Sequence, residues 1–196
     1  MIRLALLRHG ATAWNRAGRI QGRSDIPLDP EARTALAALR LPEGWAAADL
    51  VASPLARAAE TARLVAGRPP RIDPALTEMH WGAWEGAQGA VLRADRASGY
   101  RDIEYWGWDF RPPGGESPAD LRARLVPFLA GLSRDTVAVT HIGVMRVILA
   151  LAHAWDFDGP APFRIKRGRL FAVTFPAGDP AAILPLPGPE RLVPVP

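Results

Sequence analysis

Short apolar runs alternate along this chain with longer stretches in which apolar residues recur at helical spacing. Residues 2–7 form an apolar run that stops at Arg8-His9-Gly10, the pattern of a buried strand ending in a glycine turn. Asp29-Pro30 sets an N-capping acid before proline at the first helical position, and Ala32, Ala35, Leu36 and Leu39 then share one helical face. Asp49–Ala52 predicts a second strand. Ser53-Pro54 repeats the cap-plus-proline start, and residues 55–66 follow as an alanine-rich helix closed by Gly67. Ser117-Pro118 with Asp120 reads as a capping-box start to a helix over 121–132, with Pro127 as a kink. Thr136–Thr140 is strand-like, residues 143–153 form an apolar helix, and 170–175 a further strand. Beyond Pro176 the tail is proline-rich, with at most a short strand at 182–184. Strands alternating with helices predict an α/β fold: a three-layer α/β/α sandwich around a mostly parallel sheet.

Residues 68–115 interrupt this rhythm. Prolines, glycines and tryptophans dominate, and four of the seven tryptophans fall between Trp81 and Trp108. The segment reads as an irregular cap or lid over one side of the core. A length of 196 residues predicts one domain that carries this cap.

Composition narrows the chemistry. With no cysteine, the chain has no disulfide scaffold, zinc-thiolate site, iron–sulfur cluster or cysteine nucleophile. Four histidines without the metalloprotease spacing argue against a histidine metal site, so the expectation is no metal and no cofactor. The pI of about 10.5 suggests nucleic acid at first sight. Yet the net charge is only +4, and Lys166 is the one lysine among 24 basic residues. Almost nothing titrates between histidine and arginine, so a small positive charge persists into alkaline pH and raises the pI. The arginines are scattered, and neither a nucleic-acid partner nor a membrane is expected; there is no run of eighteen apolar residues and no secretory signal, which makes the cytoplasm the simplest location.

The strand reading places His9 and His141 at the carboxyl ends of two strands, the rim where open α/β sheets bind ligands. Arg8 adjoins His9. Arg57 falls in the first turn of the helix after the second strand, and Glu78 precedes the turn His80-Trp81-Gly82. This set suits phosphate. A neutral imidazole is a nucleophile at pH 7, and arginine forks with a second, protonated histidine match the charge on phosphoryl oxygens. A carboxylic acid of raised pKa can protonate a leaving alkoxide. Backbone donors at the helix start after His141 add to the anion site.

Ordered blocks carry a resemblance over residues 2–152. They are Leu7-Arg8-His9-Gly10 with Thr12, Trp14-Asn15, Gly18-Arg19, Gln21-Gly22 and Asp25-x-Pro27-Leu28; Ser53-Pro54-Leu55-x-Arg57-Ala58 with Thr61-Ala62; Leu76-x-Glu78; Gly82-x-Trp84-Glu85-Gly86; Pro113-Gly114-Gly115-Glu116-Ser117; and Thr140-His141-x-Gly143-Val144-x-Arg146. Together they resemble the histidine phosphatase superfamily, branch 1, whose members are phosphoglycerate-mutase-like. The resemblance implies that His9 becomes phosphorylated and that Arg8, Arg57 and His141 hold the phosphoryl oxygens. It further implies that Asn15 and Gln21 add pocket donors and that Glu78 is the general acid. The sequence departs from the family pattern at Ala11, commonly glutamate, and at Ile142, commonly small. That bulky side chain narrows the pocket mouth while its backbone N–H is kept.

Blander readings stand beside these. Glu85 rivals Glu78 as the acid. His80 and His153 read as structural, Trp81 and Trp84 as packing under a turn, and Glu116-Ser117 as a helix cap. Tyr100, Tyr105, Trp106 and Trp108 either line a pocket for an apolar leaving group or hold the cap together. The leading expectation is a metal-independent phosphomonoester hydrolase acting through phosphohistidine on a small phosphorylated metabolite. By resemblance to the alpha-ribazole and broad-specificity phosphatases, alpha-ribazole phosphate is one candidate substrate. Cofactor-dependent mutase-type transfer, and a non-catalytic phosphate-binding regulatory protein, are the alternatives. An exposed edge strand or the Trp-rich cap would support a homodimer.

Overall fold

The computed structural model describes residues 1–195. Its central sheet has the order β4-β3-β5-β1-β6-β7, with β8 also pairing β6. The strands are β1 (Ile2–Arg8), β3 (Asp49–Ala52), β4 (Arg71–Ile72), β5 (Thr136–Thr140), β6 (Arg169–Phe175), β7 (Leu184–Pro185) and β8 (Glu190–Arg191); β2 (Leu39–Arg40) pairs apart from it with β9 (Val193–Pro194). Strands β4, β3, β5 and β1 run parallel, and β6 reverses direction against β1.

Alternation along β1 divides the interior in two. Leu4 and Leu6 face one core with α6 (Pro118–Ala130) and α7 (Ile142–His153). Ala5 and Leu7 face the other, with α2 (Pro30–Ala37), α3 (Glu43–Ala46) and α4 (Ala56–Ala66). Side chains on a strand point to opposite faces in turn, so a strand apolar on both faces must be covered on both. Two short helices complete the set, α1 (Ala13–Arg16) and α5 (Gly89–Ala94).

Several local expectations need correction. Of α2 only Leu36 is buried; Ala35 is exposed, and Leu39 lies beyond the helix in β2. The helix spans two turns against α4, and one leucine fills that contact. Asp29 precedes it without capping it, because its carboxylate takes Arg16 at 2.6 Å. Helix α4 begins at Ala56, not at Pro54. Ser53 is spent elsewhere, and the Ala56 N–H is met by Asp25 Oδ1 at 2.9 Å from a distant loop. Ser117 and Asp120 form the expected capping box, whereas Glu116 binds Arg23 at 2.7 Å and the His80 N–H at 2.9 Å. Helix α6 continues through Pro127. The proline-rich tail, read as nearly structureless, contributes β7, β8 and β9; Pro185 and Pro194 lie in these short outer strands, where a missing N–H costs little.

Within residues 68–115, Trp81, Trp84 and Trp106 are buried and join the core of α6 and α7. Trp106 packs in tilted geometry 5.1 Å from Trp81 and 5.0 Å from Phe110, and Trp84 lies 5.0 Å from Tyr100. Of the two options for Trp106, packing is the one seen. Gly82 takes a left-handed backbone against Pro113 and Gly115, where a side chain would collide. Among the described residues no helix is long and apolar enough to cross a membrane. Replacing Trp84 with alanine should lower unfolding stability by about 3–5 kcal/mol, the usual cost of emptying a large aromatic site. Denaturant melts followed by far-ultraviolet circular dichroism measure it.

Candidate active site

Three adjacent parallel strands deliver the site. His9 follows β1, Ser53 follows β3 and His141 follows β5. The His9 N–H donates to the Thr140 carbonyl at 2.9 Å, and the Ser53 N–H to the Val139 carbonyl at 3.1 Å, so hydrogen bonding carries on past the strand ends. The rings of His9 and His141 come to 5.1 Å between centroids. His9 Nδ1 lies 2.6 Å from the Gly10 carbonyl oxygen. A carbonyl only accepts, so Nδ1 carries the proton and Nε2 keeps its lone pair. Burial, with the charges of Arg57 and Arg8 beside it, holds His9 well below the ordinary imidazole value. It is a neutral base at pH 7.

A cavity of about 160 Å³ opens here, lined by Arg8, His9, Asn15, Gln21, Arg57, Glu78 and Ile142, and also by Arg19, Ile20, Gly22 and Trp81. Trp81, read from sequence as packing alone, both packs and reaches this cavity.

Arg57 is fully buried. Its Nη1 donates to the Ser24 carbonyl at 2.7 Å and Nη2 to the Gly22 carbonyl at 2.9 Å. Those carbonyls are turned inward by a loop that Glu85 braces, accepting from the Arg23 N–H (2.9 Å), the Ser24 N–H (3.0 Å) and the Ser24 hydroxyl (2.9 Å). Glu85, the rival acid, is therefore engaged in loop construction. Asn15 and Gln21 each turn the amide oxygen to the Thr12 hydroxyl, at 3.2 Å and 3.0 Å. Their NH2 groups are left as donors.

Glu78 is buried. Its Oε1 accepts from the Met79 N–H at 2.8 Å and the Gly143 N–H at 3.0 Å. Gly143 is required there, since a β-carbon would press on that same oxygen. Burial raises the Glu78 pKa, and the two N–H bonds and the nearby arginines only partly offset it. The turn that carries Glu78 is clamped by Arg124, which donates to the Thr77 carbonyl at 2.6 Å and the Glu78 carbonyl at 3.2 Å.

His141 differs from expectation in its charge. It is fully buried, and burial followed by the charges of its neighbours holds its pKa well below the ordinary value, so the free site presents a neutral ring rather than an imidazolium. Burial, then the charge of Arg167, also presses down on the Arg8 guanidinium, which stays cationic at neutral pH. Arg167 reaches this corner because β6 starts opposite the end of β1, in the register Leu7 to Leu170. Ser53, Arg124, Glu85 and Arg167 lie outside the set of expected site residues. Ser53 and Glu85 fall inside the family-like blocks; Arg124 and Arg167 leave no signal at all.

Among the described residues, three buried side-chain atoms lack a hydrogen-bond partner: Arg8 Nε, Arg57 Nε and His141 Nδ1. Buried polar atoms are nearly always paired, and all three of these belong to this one site. Two are obligate donors on cationic guanidinium groups, so the site offers N–H groups and positive charge to an acceptor.

Comparison with known proteins agrees. The family model described as histidine phosphatase superfamily (branch 1) matches residues 4–184. The glucosyl-3-phosphoglycerate phosphatase of Mycolicibacterium vanbaalenii is 33% identical over 169 residues, covering 76% of this chain and 72% of that protein. A phosphoglycerate mutase from Thermus thermophilus superposes with a TM-score of 0.75 at 36% identity, over 98% of this chain and 99% of that one. Mycobacterial glucosyl-3-phosphoglycerate phosphatase complexed with VO3 gives 0.77 at 31% identity, over 89% and 93%. Site, fold and sequence converge, and the chain belongs to the histidine phosphatase superfamily, branch 1.

Proposed function

We propose that this protein is a metal-independent phosphomonoesterase working through a phosphohistidine. The observation that carries the reading is the group of unpaired buried donors beside a neutral histidine whose Nε2 lone pair is free. His9 Nε2 attacks phosphorus, and the phosphorus–oxygen ester bond breaks. Glu78, whose pKa burial raises, gives its proton to the leaving alkoxide. Arg8, Arg57 and the Nδ1 edge of His141 hold the phosphoryl oxygens, with Asn15 and Gln21 as further donors. The Glu78 carboxylate then takes a proton from water, whose oxygen attacks phosphorus. The phosphorus–nitrogen bond breaks, inorganic phosphate leaves, and both side chains return to their starting states.

The phosphatase relatives named above act on glucosyl-3-phosphoglycerate. That favours a phosphorylated glycerate or sugar over alpha-ribazole phosphate as the substrate class. Mutase-type transfer is the second reading, favoured by the Thermus thermophilus mutase. It requires the phosphohistidine to wait for an alcohol instead of meeting water.

Release of phosphate from 4-nitrophenyl phosphate in excess EDTA should proceed, and His9→Ala should abolish it. Turnover that stops with EDTA, or survives in His9→Ala, overturns the proposal. Glu78→Gln should cost about 10²-fold or more in kcat on an alkyl ester such as glycerol 3-phosphate. It should cost far less in the phosphorylation step on 4-nitrophenyl phosphate, whose leaving group needs no proton. A stopped-flow burst separates the two steps.

The pH profile has a definite sign. His9 must be unprotonated, and its lowered pKa sets the acid limb below the ordinary imidazole range. Glu78 must be protonated, and its raised pKa sets the alkaline limb above the ordinary carboxylate range. For the alkyl ester, kcat/KM should therefore fall as pH rises through the Glu78 pKa, and Glu78→Gln should remove that limb.

A further inference from the structure

A neutral His141 poses a problem. A neutral imidazole has one N–H and one bare lone pair, and only the N–H can hold a phosphoryl oxygen. Whether His141 helps or opposes an anion thus depends on which nitrogen carries the proton.

The surroundings decide it. His141 Nε2 lies 2.7 Å from Ser53 Oγ, while Nδ1 has no partner among the described residues. Ser53 is itself fully buried and also accepts the Leu55 N–H at 3.3 Å. If Nε2 held the proton, Ser53 Oγ would accept from two N–H groups, and its own hydroxyl hydrogen would have no acceptor. Nδ1 would then meet the anion as a bare lone pair. If Nδ1 holds the proton, Ser53 donates to Nε2 and accepts from Leu55. Both Ser53 groups and Nε2 are then paired, and the one remaining donor is the Nδ1–H edge. Each arrangement leaves one buried donor unpaired, but only the second places it on the ring edge that meets the anion, where a phosphoryl oxygen can accept it.

We propose that Ser53 is a positioning residue: by donating to Nε2 it fixes the Nδ1–H tautomer of His141 and so turns a neutral ring into a hydrogen-bond donor for the phosphoryl group. This rests on the reading of His141 as a phosphoryl ligand. It also accounts for the late start of α4. The Ser53 hydroxyl serves the histidine and the Leu55 N–H, and the first turn of the helix takes its cap from Asp25.

The test begins with the unaltered protein. Long-range proton–nitrogen NMR of histidine-labelled protein, with His141 assigned by its loss in His141→Gln, should show Nδ1 protonated and Nε2 bare. Ser53→Ala should move that signature towards the Nε2–H form or a mixture. It should also lower kcat/KM by about tenfold or more and weaken inorganic phosphate binding by a similar factor. Ser53→Thr, which keeps the hydroxyl, should restore the tautomer and most of the rate. An Nε2–H ring in the unaltered protein overturns the proposal, as does a Ser53→Ala protein with unchanged tautomer and unchanged rate. Because the tautomer is read without turnover, an inactive native protein with an Nδ1–H ring would defeat the phosphatase reading and leave the tautomer assignment standing.

Discussion

The structure is organised around a buried cation that no carboxylate among the described residues contacts directly. Arg57 is wholly buried and is held by the Gly22 and Ser24 carbonyls rather than by a carboxylate. A buried charge costs several kcal/mol unless hydrogen bonds replace its water. A carboxylate partner would satisfy it more fully and would also cancel the charge that an anion needs. Carbonyl dipoles keep the guanidinium in place and leave its charge available. From this follow the left-handed turn at Gly22, the bracing of that turn by Glu85, and the reach of Asp25 to the start of α4. Residues far apart in sequence thus converge on a single electrostatic requirement.

Glu78 answers a complementary requirement. An acid placed among arginines would ordinarily ionise readily. Here burial works against the cations, and the carboxyl is pushed towards its protonated form. The same low-dielectric surroundings therefore push His9 and Glu78 each towards its neutral form, one as a base and the other as an acid. Closing the site to water strengthens each of these effects.

Much of this is legible in the sequence because the strands are short, apolar on both faces and followed at once by the reactive residues. Leu4 to Leu7 read as a strand covered on both sides, which the two cores bear out, and His9 emerges at its rim. His141 emerges there by the same logic. What is not legible depends on which polar group reaches which. Ser53-Pro54 looks like a helix start because serine usually caps, but its hydroxyl faces a histidine 88 residues away in sequence. Arg124 looks like any solvent-facing helical arginine until the 74–78 turn is folded against it. The charge of His141 escapes a sequence reading because the residues that desolvate it come from several elements.

The place of β1 in the sheet has a consequence for how the chain is made. Strand β1 lies between β5 and β6, so neither of its edges has a partner until Thr136–Thr140 and then Arg169–Phe175 have been synthesised. Contacts so distant in sequence close slowly, and an unpaired apolar strand is exposed to other chains in the meantime. His9 hangs from the end of that strand. The reactive centre thus takes shape only once β5, more than a hundred residues further along the chain, has joined β1.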